Sequence, residues 1–286
     1  MPGAAVRPAH AKVNLWLNVV GRRSDGYHLL DSLVAFVDLA DTLEVRPADR
    51  LSLDLAGPRA AELAGESDNL VLKAAHLLAD RAGVAPRAAI RLDKHIPVAA
   101  GLGGGSADAA AALRALSDLW RVTLPEEKLF DLATSLGADV PMCLANRTAL
   151  VSGIGERLQL APALPPSAIL LVNPGTALPT REVFEARRGP FSTATPVTRP
   201  WRDLAELAAA LAKRGNDLSE AAISLRPIIA EVLAFLRHSS GARYAAMSGS
   251  GATCFALYDS LDAAQRAGEA MPPAWWRHAG RLIASG

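Results

Sequence analysis

The feature that most constrains the fold of this chain is a glycine-rich segment at residues 97–116, which reads PVAAGLGGGSADAAAALRAL. Four glycines follow a strand-like stretch, AAIRLDKHIPV, and precede a long run of alanine and leucine that is typical of a helix. Glycine lets the backbone turn its N–H groups inward and lets a ligand approach closely. The N-terminal end of the following helix carries partial positive charge. The segment therefore predicts a cradle for phosphate groups, with the Ser106 hydroxyl in the first helical turn.

Three interpretations of this segment can be compared on the residues alone. A Walker A loop needs a lysine directly after the glycines, and none is present. A dinucleotide-binding loop has the pattern G-x-G-x-x-G/A, and Gly101 and Gly103 fit its start, but Ser106 occupies the third glycine position. That loop also needs an acidic residue about 20 positions later at the end of a strand. Asp118 instead falls within the predicted helix. The third interpretation, a merely flexible turn, leaves the strand–glycine–helix setting unexplained.

The rest of the chain predicts strands and helices in mixed order. Ser67 or Asp68 is expected to cap a helix that Gly83 ends, and Pro125 is expected to open another that Gly137 closes. The stretch LLDSLVAFVDLADTLEVRP predicts extended segments broken by acidic turns. Because strands and helices do not alternate strictly, we expect an α+β fold rather than a doubly wound α/β fold.

The second half of the chain predicts a different arrangement of elements. SAILLVNPG predicts a buried strand, and helices are expected at about 202–213 and 217–237, the latter broken at Pro227. ARYAAMSGSGATCFALYD predicts two strands around a tight glycine turn. A change of composition at 155–166 predicts a domain boundary there.

Composition and charge exclude several classes of protein. Thirty Lys and Arg oppose 29 Asp and Glu, which gives a formal charge of +1, so a strongly basic nucleic-acid binder is not expected. Cys143 and Cys254 lie too far apart in sequence to form a disulfide framework or a four-ligand zinc site, so we expect two thiols in a reducing compartment. The N-terminal residues lack the apolar run of a secretory signal, and no stretch approaches the roughly 18 apolar residues of a membrane helix. We therefore expect a cytoplasmic protein without a membrane partner.

Three further clusters combine residues that can carry chemistry. The strand-like stretch AHAKVNLWLNVVG contains Lys12 and Asn14, and GRRSDGYH ends in Tyr27 and His28. SLGADVPMCL contains Asp139, and MSGSGATCF contains a Gly-Ser-Gly turn. Each cluster also has an ordinary structural interpretation: a lysine on a solvated face, the exit of a turn, an aspartate at a helix entry and a tight hairpin. One at a time, the clusters leave both interpretations open.

Together and in this order, the clusters resemble the GHMP small-molecule kinase superfamily. That family has an N-terminal strand with Lys and Asn, a P-x-x-x-G-L-G-[GS]-[GS]-S loop and a C-terminal G-S-G turn. The motifs that carry the resemblance here are AKVNLWL at 11–17, GRRSDGYH at 21–28, GLGGGSADAA at 101–110, GADVP at 137–141, LPTREVF at 178–184, GNDL at 215–218 and GSG at 249–251. The resemblance covers nearly the whole chain. It implies a two-domain α+β fold, with an N-terminal ATP-loop domain at 1–155 and a C-terminal ferredoxin-like α/β sandwich domain at 156–286.

The resemblance also implies an activity. It implies that the chain transfers a phosphoryl group from ATP, with Mg²⁺, to the 2-hydroxyl of a methylerythritol unit that carries a cytidine diphosphate. This reaction belongs to non-mevalonate isoprenoid precursor biosynthesis. The implied catalytic residues are Lys12 and Asp139. The implied ATP-binding residues are Pro97, Val98, Ala99, Ala100, Gly101, Leu102, Gly103, Gly104, Gly105, Ser106 and Ala107 in the glycine loop, with Asn69 and Lys94 on the adenine side. The implied substrate-binding residues are Asn14, Tyr27, His28, Thr180 and Phe184.

Elementary chemistry agrees with these implied roles. Phosphoryl transfer depends on positioning and charge stabilisation more than on covalent chemistry. Asp139 can orient or deprotonate the acceptor hydroxyl, and Lys12 can neutralise the charge that grows on the γ-phosphate. Tyr27 and Phe184 offer flat faces on which a cytosine can stack, and His28 can hydrogen-bond its edge. Ser106 and Asp139 are the candidate Mg²⁺ ligands.

Three alternatives to this function remain open at the level of sequence. The chain could be another GHMP kinase that acts on homoserine, mevalonate or a sugar. It could be a nicotinamide-dependent oxidoreductase, in which case NADH would bind. It could also be a nucleotide-binding protein without catalysis, against which the presence of both Lys12 and Asp139 argues.

Overall fold

The computed structural model describes residues 4–63 and 68–283, which form two compact units. The first unit comprises the described parts of Met1–Ala11, Leu39–Val98 and Gly103–Asn146. The second comprises those of Lys12–Asp38, Ala99–Leu102 and Arg147–Gly286. Two long strands, β1 (Ala5–Arg22) and β2 (His28–Arg46), contribute residues to both units. None of the helices in the described ranges combines the length and apolar character needed to cross a lipid bilayer.

The first unit pairs short strands with a group of packed helices. Its further elements are β3 (Ser52–Ala56), a 3₁₀ helix (Ala60–Leu63), α1 (Leu70–Ala82), β4 (Ala89–Asp93), α2 (Gly104–Trp120), α3 (Glu126–Leu136) and α4 (Val140–Ala145). Strand β4 lies between β3, to which it is parallel, and the end of β2, to which it is antiparallel. Helix α2 packs against α1, α3 and α4. Its alanines at 109, 110, 112 and 115 are buried, so neighbouring helices can approach closely.

The ends of helix α1 show how the local sequence sets a boundary. The helix ends at Gly83, whose left-handed φ of 66° supplies the expected stop. At its start, Asn69 is the N-cap, and its side chain accepts a hydrogen bond from the N–H of Val71. The predicted cap at Asp68 was therefore wrong by one residue, and Ser67 lies outside the described residues.

The second unit contains a four-stranded antiparallel sheet. Besides its parts of β1 and β2, the second unit comprises the elements β5 (Ala149–Gly153), β6 (Arg157–Leu160), β7 (Ala168–Asn173), α5 (Thr180–Ala186), α6 (Leu204–Arg214), α7 (Ser219–Leu225), α8 (Ile228–His238), β8 (Tyr244–Met247), β9 (Cys254–Tyr258), α9 (Leu261–Glu269) and β10 (Trp276–Arg281). The strand order is β10-β7-β9-β8, with every pair antiparallel. This β-α-β-β-α-β connection is the ferredoxin-like arrangement that was expected. Strands β7 and β9 are buried throughout, and α8 and α9 pack against the sheet.

The mixed α+β class is confirmed, and the predicted helix at 217–237 is broken at Pro227, between α7 and α8. The prediction of extended segments broken by acidic turns was wrong, because residues 28–46 form one continuous strand. The compact units also divide the chain elsewhere than at 155–156, since residues 12–38 belong to the second unit. The domain ranges 1–155 and 156–286 stay a prediction.

Candidate active site

The first half of the glycine loop, Ala99–Leu102, is bound to the C-terminal Gly-Ser-Gly turn within the second unit. Gly101 has a φ of 76°, and a Cβ placed there would lie 2.5 Å from the carbonyl oxygen of Gly251. Thr253 strengthens this contact by donating its hydroxyl to the carbonyl of Ala100. A side chain at position 101 would therefore collide with backbone, which explains the glycine by close approach as well as by conformation.

The second half of the loop begins helix α2 in the first unit. Gly103, with a φ of 68°, is the N-cap, and its carbonyl accepts the N–H of Ala107. The N–H groups of the first helical turn have no intrahelical acceptor by geometry. The first turn carries no acidic residue that would neutralise the positive end of the helix. Ser106 is half-buried in this turn. The start of α2 thus has the backbone donors and charge that a phosphate group needs.

Lys12 lies in a polar network in the second unit. Its backbone N–H donates to the carbonyl of Leu102 at 2.9 Å, which ties β1 to the glycine loop. The side chain is buried, with 7% of its surface exposed, and its Nζ donates to Oδ1 of Asn14 at 2.9 Å. Asn14 in turn donates from Nδ2 to the hydroxyl of Ser32 at 2.8 Å. The interpretation of Lys12 as a lysine on a solvated face was therefore wrong, because its side chain is buried and hydrogen-bonded.

The Gly-Ser-Gly turn at residues 249–251, with Ser248 directly before it, contacts further predicted site residues. The N–H of Asn14 donates to the Ser248 hydroxyl at 3.1 Å, and the hydroxyls of Thr180 and Ser250 lie 2.9 Å apart. Asn216 donates from Nδ2 to the carbonyl of Gly249 at 2.8 Å. Sequence reasoning did not assign roles to Ser248 or Asn216. The motifs GNDL and G-S-G were the available signals, and the pairing between them is visible in the structure alone.

His28 and Phe184 form an aromatic stack in the second unit. Their ring centroids are 5.1 Å apart, and the ring planes are inclined by 24°. Burial, followed by the positive charges of Arg22 and Arg187, lowers the pKa of His28 below its ordinary value. The imidazole is therefore neutral near neutral pH, with one nitrogen that donates and one that accepts. Tyr27, beside it in sequence, has 61% of its surface exposed.

Asp139 and Pro141 form the entry to helix α4 in the first unit. Asp139 lies at the N-cap and is exposed, and Pro141 lies in the first turn, as its fixed φ favours. The helix-entry interpretation expects the Asp139 carboxylate to cap the helix, but no such hydrogen bond forms at this N-cap in the described chain. The capping interpretation therefore does not explain this carboxylate.

The two residues predicted on the adenine side have other bonds in the structure. The side chain of Asn69 caps helix α1. The side chain of Lys94 is buried, and its Nζ donates to carboxylates of Asp41 and Asp108. An adenine contact for either residue stays a prediction.

The side chains of the site can be examined for groups that would bind Mg²⁺. Within residues 4–63 and 68–283, no three His, Cys, Asp or Glu side chains form a group that could hold a metal. Mg²⁺ in phosphoryl-transfer sites commonly takes one or two protein ligands and completes its shell with phosphates and water. The Ser106 hydroxyl and the Asp139 carboxylate fit that small donor set.

Comparisons with known proteins define the class to which this site belongs. The family model described as "GHMP kinases N terminal domain" matches residues 69–147, and that described as "GHMP kinases C terminal" matches residues 197–278. The chain belongs to the GHMP kinase family. Membership of this family rules out the alternative hypothesis that the chain is a nicotinamide-dependent oxidoreductase.

Within this family, the chain is similar in sequence to relatives that share one name. The chain is 53% identical over 278 residues to a 4-diphosphocytidyl-2-C-methyl-D-erythritol kinase of Paramagnetospirillum magneticum, covering 96% of this chain and 97% of the relative. It is 50% identical over 283 residues to the protein of the same name from Rhodospirillum rubrum, covering 98% and 93%. A crystal structure of 4-(cytidine 5'-diphospho)-2C-methyl-D-erythritol kinase matches with a TM-score of 0.82 at 40% identity, covering 99% of this chain and 100% of that one. A homoserine kinase from Cytophaga hutchinsonii, with a TM-score of 0.68 at 19% identity, covering 97% and 95%, shows the shared fold alone.

Proposed function

We propose that this chain phosphorylates 4-diphosphocytidyl-2-C-methyl-D-erythritol at its 2-hydroxyl, with ATP as the phosphoryl donor. The observation that carries the proposal is the glycine loop. Its first half is bonded to β1 at Lys12 and to the Gly-Ser-Gly turn, and its second half begins helix α2 without an acidic residue. Relatives that share about half of their residues with this chain, over nearly their whole length, are named 4-diphosphocytidyl-2-C-methyl-D-erythritol kinase.

ATP binding is assigned to the start of α2. The unpaired N–H groups of the first turn and the positive end of the helix would bind the phosphates. Positive φ angles of 53° at Ala99, 76° at Gly101 and 68° at Gly103 turn the backbone sharply before this point. Mg²⁺, when bound with ATP, would shield the phosphate charges, and Ser106 and Asp139 would be its protein ligands.

Asp139 and Lys12 are assigned the catalytic roles. The Asp139 carboxylate would accept a hydrogen bond from the acceptor hydroxyl and aim its oxygen at the γ-phosphorus. It would take the hydroxyl proton as the new bond to phosphorus forms and the bond from the γ-phosphorus to the β–γ bridging oxygen breaks, which releases ADP. The ammonium of Lys12 would stabilise the charge that develops on the transferred group. Asn14 holds Lys12 Nζ at 2.9 Å, so the ammonium is oriented before substrate arrives.

Recognition of the cytidine is assigned to the aromatic stack of His28 and Phe184, with Tyr27 as a further face. A neutral imidazole can donate to or accept from the edge of a cytosine, whereas an imidazolium could donate alone. Stacking on Phe184 would hold any base, so the hydrogen bonds of His28 would provide the discrimination. Asn14 and Thr180, both fixed by the Gly-Ser-Gly turn, would contact the sugar-alcohol part.

The test is the release of ADP from ATP and Mg²⁺ with a panel of acceptors in parallel. The acceptors are 4-diphosphocytidyl-2-C-methyl-D-erythritol, homoserine, mevalonate and galactose. We expect turnover with the cytidine compound alone. Turnover with another acceptor would leave the ATP site intact and contradict the assignment of His28 and Phe184. A chain that binds ATP but releases ADP with none of them would be a nucleotide-binding protein without this activity.

A further inference from the structure

Beneath the glycine loop lies a buried cluster of three ionisable side chains, all within the first unit. Lys94 follows β4, Asp41 lies in β2, and Asp108 lies in α2, and each has 2% or less of its surface exposed. The Nζ of Lys94 donates to Oδ2 of Asp41 and, at 2.7 Å, to Oδ2 of Asp108. Ionisable side chains are costly to bury unless they are paired and hydrogen-bonded, so the bonds of this cluster hold its members in one arrangement.

The contacts of Asp41 show what the cluster holds. Its Oδ1 accepts hydrogen bonds from the backbone N–H groups of His95 and of Ile96, the latter at 2.8 Å. Those residues immediately precede Pro97, where the glycine loop begins. Hydrogen bonds to a charged acceptor are shorter and stronger than neutral ones. One carboxylate oxygen therefore fixes the chain that enters the loop, while the other is bound to Lys94.

The contacts of Lys94 reach the other end of the loop. A Cβ placed on Gly104, the first residue of α2, would lie 3.0 Å from the Nζ of Lys94. The ammonium therefore lies directly under the first turn, whose N–H groups are assigned to the ATP phosphates. Its bond to Asp108, four residues further along α2, links this turn to β2 and β4. Lys94 and Asp41 together connect the entry of the loop with its exit.

The hydrogen bonds single out Asp41 and Lys94 as the pair that holds the loop. Both oxygens of Asp41 are used, one by Lys94 and the other by the backbone N–H groups of His95 and Ile96. Asp108 bonds Lys94 through Oδ2, and its buried Oδ1 has no hydrogen-bond partner among the described residues. Burial alone would lower the pKa of Lys94, but the attraction of Asp108 and Asp41 outweighs it and raises that pKa.

We propose that Asp41 and Lys94 are positioning residues for ATP, because the buried cluster that they form with Asp108 fixes both ends of the glycine loop. The proposal rests on the proposed use of ATP. Neither side chain needs to touch the nucleotide. Each acts through the backbone of residues 95–96 and of the first turn of α2.

The test compares the KM values for the two substrates in Asp41→Asn and Lys94→Met. Asparagine keeps the shape and an acceptor oxygen but loses the charge-assisted bonds, so we expect the KM for ATP to rise about tenfold. The KM for the acceptor should stay within about twofold, because the cluster lies under the phosphate-binding turn and not under the cytidine stack. Asp118→Asn is the matched control, since Asp118 lies on the same helix in an exposed ion pair with Arg7.

Each outcome decides the proposal. A rise in the KM for ATP alone, with folding confirmed by circular dichroism, supports it. Unchanged KM values, with or without a lower kcat, would overturn it, because a merely structural cluster lowers the folded fraction and hence the apparent kcat but not the KM. Equal rises in both KM values would also overturn it, because they show no preference for ATP. If Asp41→Asn does not fold, Lys94→Met decides, and failure of both to fold would also overturn it. The unmodified protein is measured alongside the variants. If it binds no ATP, that result contradicts the proposed function instead of the positioning role.

Discussion

Replacing Gly101 with alanine should damage the chain more than an ordinary substitution at a left-handed glycine. The φ of 76° costs any L side chain about 1–2 kcal/mol. The new Cβ would also lie 2.5 Å from the carbonyl oxygen of Gly251 and 3.4 Å from that of Ser248. Both neighbours are backbone atoms that cannot rotate away, and such overpacking costs about 1–3 kcal/mol. The expected total loss of unfolding free energy is about 2–5 kcal/mol.

A matched control separates the two contributions. Gly175, in the same unit, has a φ of 77°, and among the described residues no heavy atom beyond its chain neighbours lies within 4 Å of a Cβ built there. Gly175→Ala should therefore lose the conformational part alone. Urea unfolding followed by tryptophan fluorescence would compare the variants, and calorimetric titration with ATP would measure binding. We expect Gly101→Ala to lose about 1–3 kcal/mol more than the control and to bind ATP more weakly. Equal losses in both variants would refute the close approach to Gly251.

Three other perturbations follow from the site. Lys12→Ala and Asp139→Asn should each lower kcat by about 10²–10⁴-fold, measured by ADP release. In calorimetry the melting temperature should change little in Asp139→Asn, at an exposed position, and fall in Lys12→Ala, which removes a buried partner of Asn14. Phe184→Ala should raise the KM for the cytidine substrate about fivefold or more and leave that for ATP unchanged. Asp108→Asn should change the pH dependence of stability. The folded chain holds the Asp108 proton up to about pH 8, whereas the unfolded chain releases it near its ordinary pKa. The wild type therefore loses stability from this group as pH rises toward 8, and the asparagine variant should not, in urea unfolding across roughly pH 5–9.

Local chemistry made much of the fold predictable. The strand–glycine–helix order around residue 101 follows from residue types alone, and so do the break at Pro227 and the helix between Pro125 and Gly137. Each depends on backbone conformations that proline and glycine allow or forbid. The continuous strand at residues 28–46 was missed because its acidic residues look like turn residues unless their partners are known. Pairing with β4 and β5 is what keeps that strand extended.

The candidate site was predictable where motifs carry it and not where distant residues meet. Lys12, Asp139 and the glycine loop came from motif resemblance, and the stack of His28 on Phe184 joins two motifs that are far apart in sequence. The bond from Asp41 to Lys94 spans 53 positions, and no local pattern marks it. The assignment of Lys94 to adenine came from the resemblance and stays a prediction, and the structure adds the bonds of its buried ammonium to Asp41 and Asp108.

The proposed reaction is tested most directly by following the γ-phosphate itself. The chain would be incubated with ATP labelled in that group, Mg²⁺ and 4-diphosphocytidyl-2-C-methyl-D-erythritol, and the products separated by chromatography. We expect the label to move to the cytidine compound, and to stay in ATP when Asp139→Asn replaces the wild type. Label that appears as inorganic phosphate, or transfer that continues undiminished in the Asp139→Asn variant, would contradict the assigned chemistry.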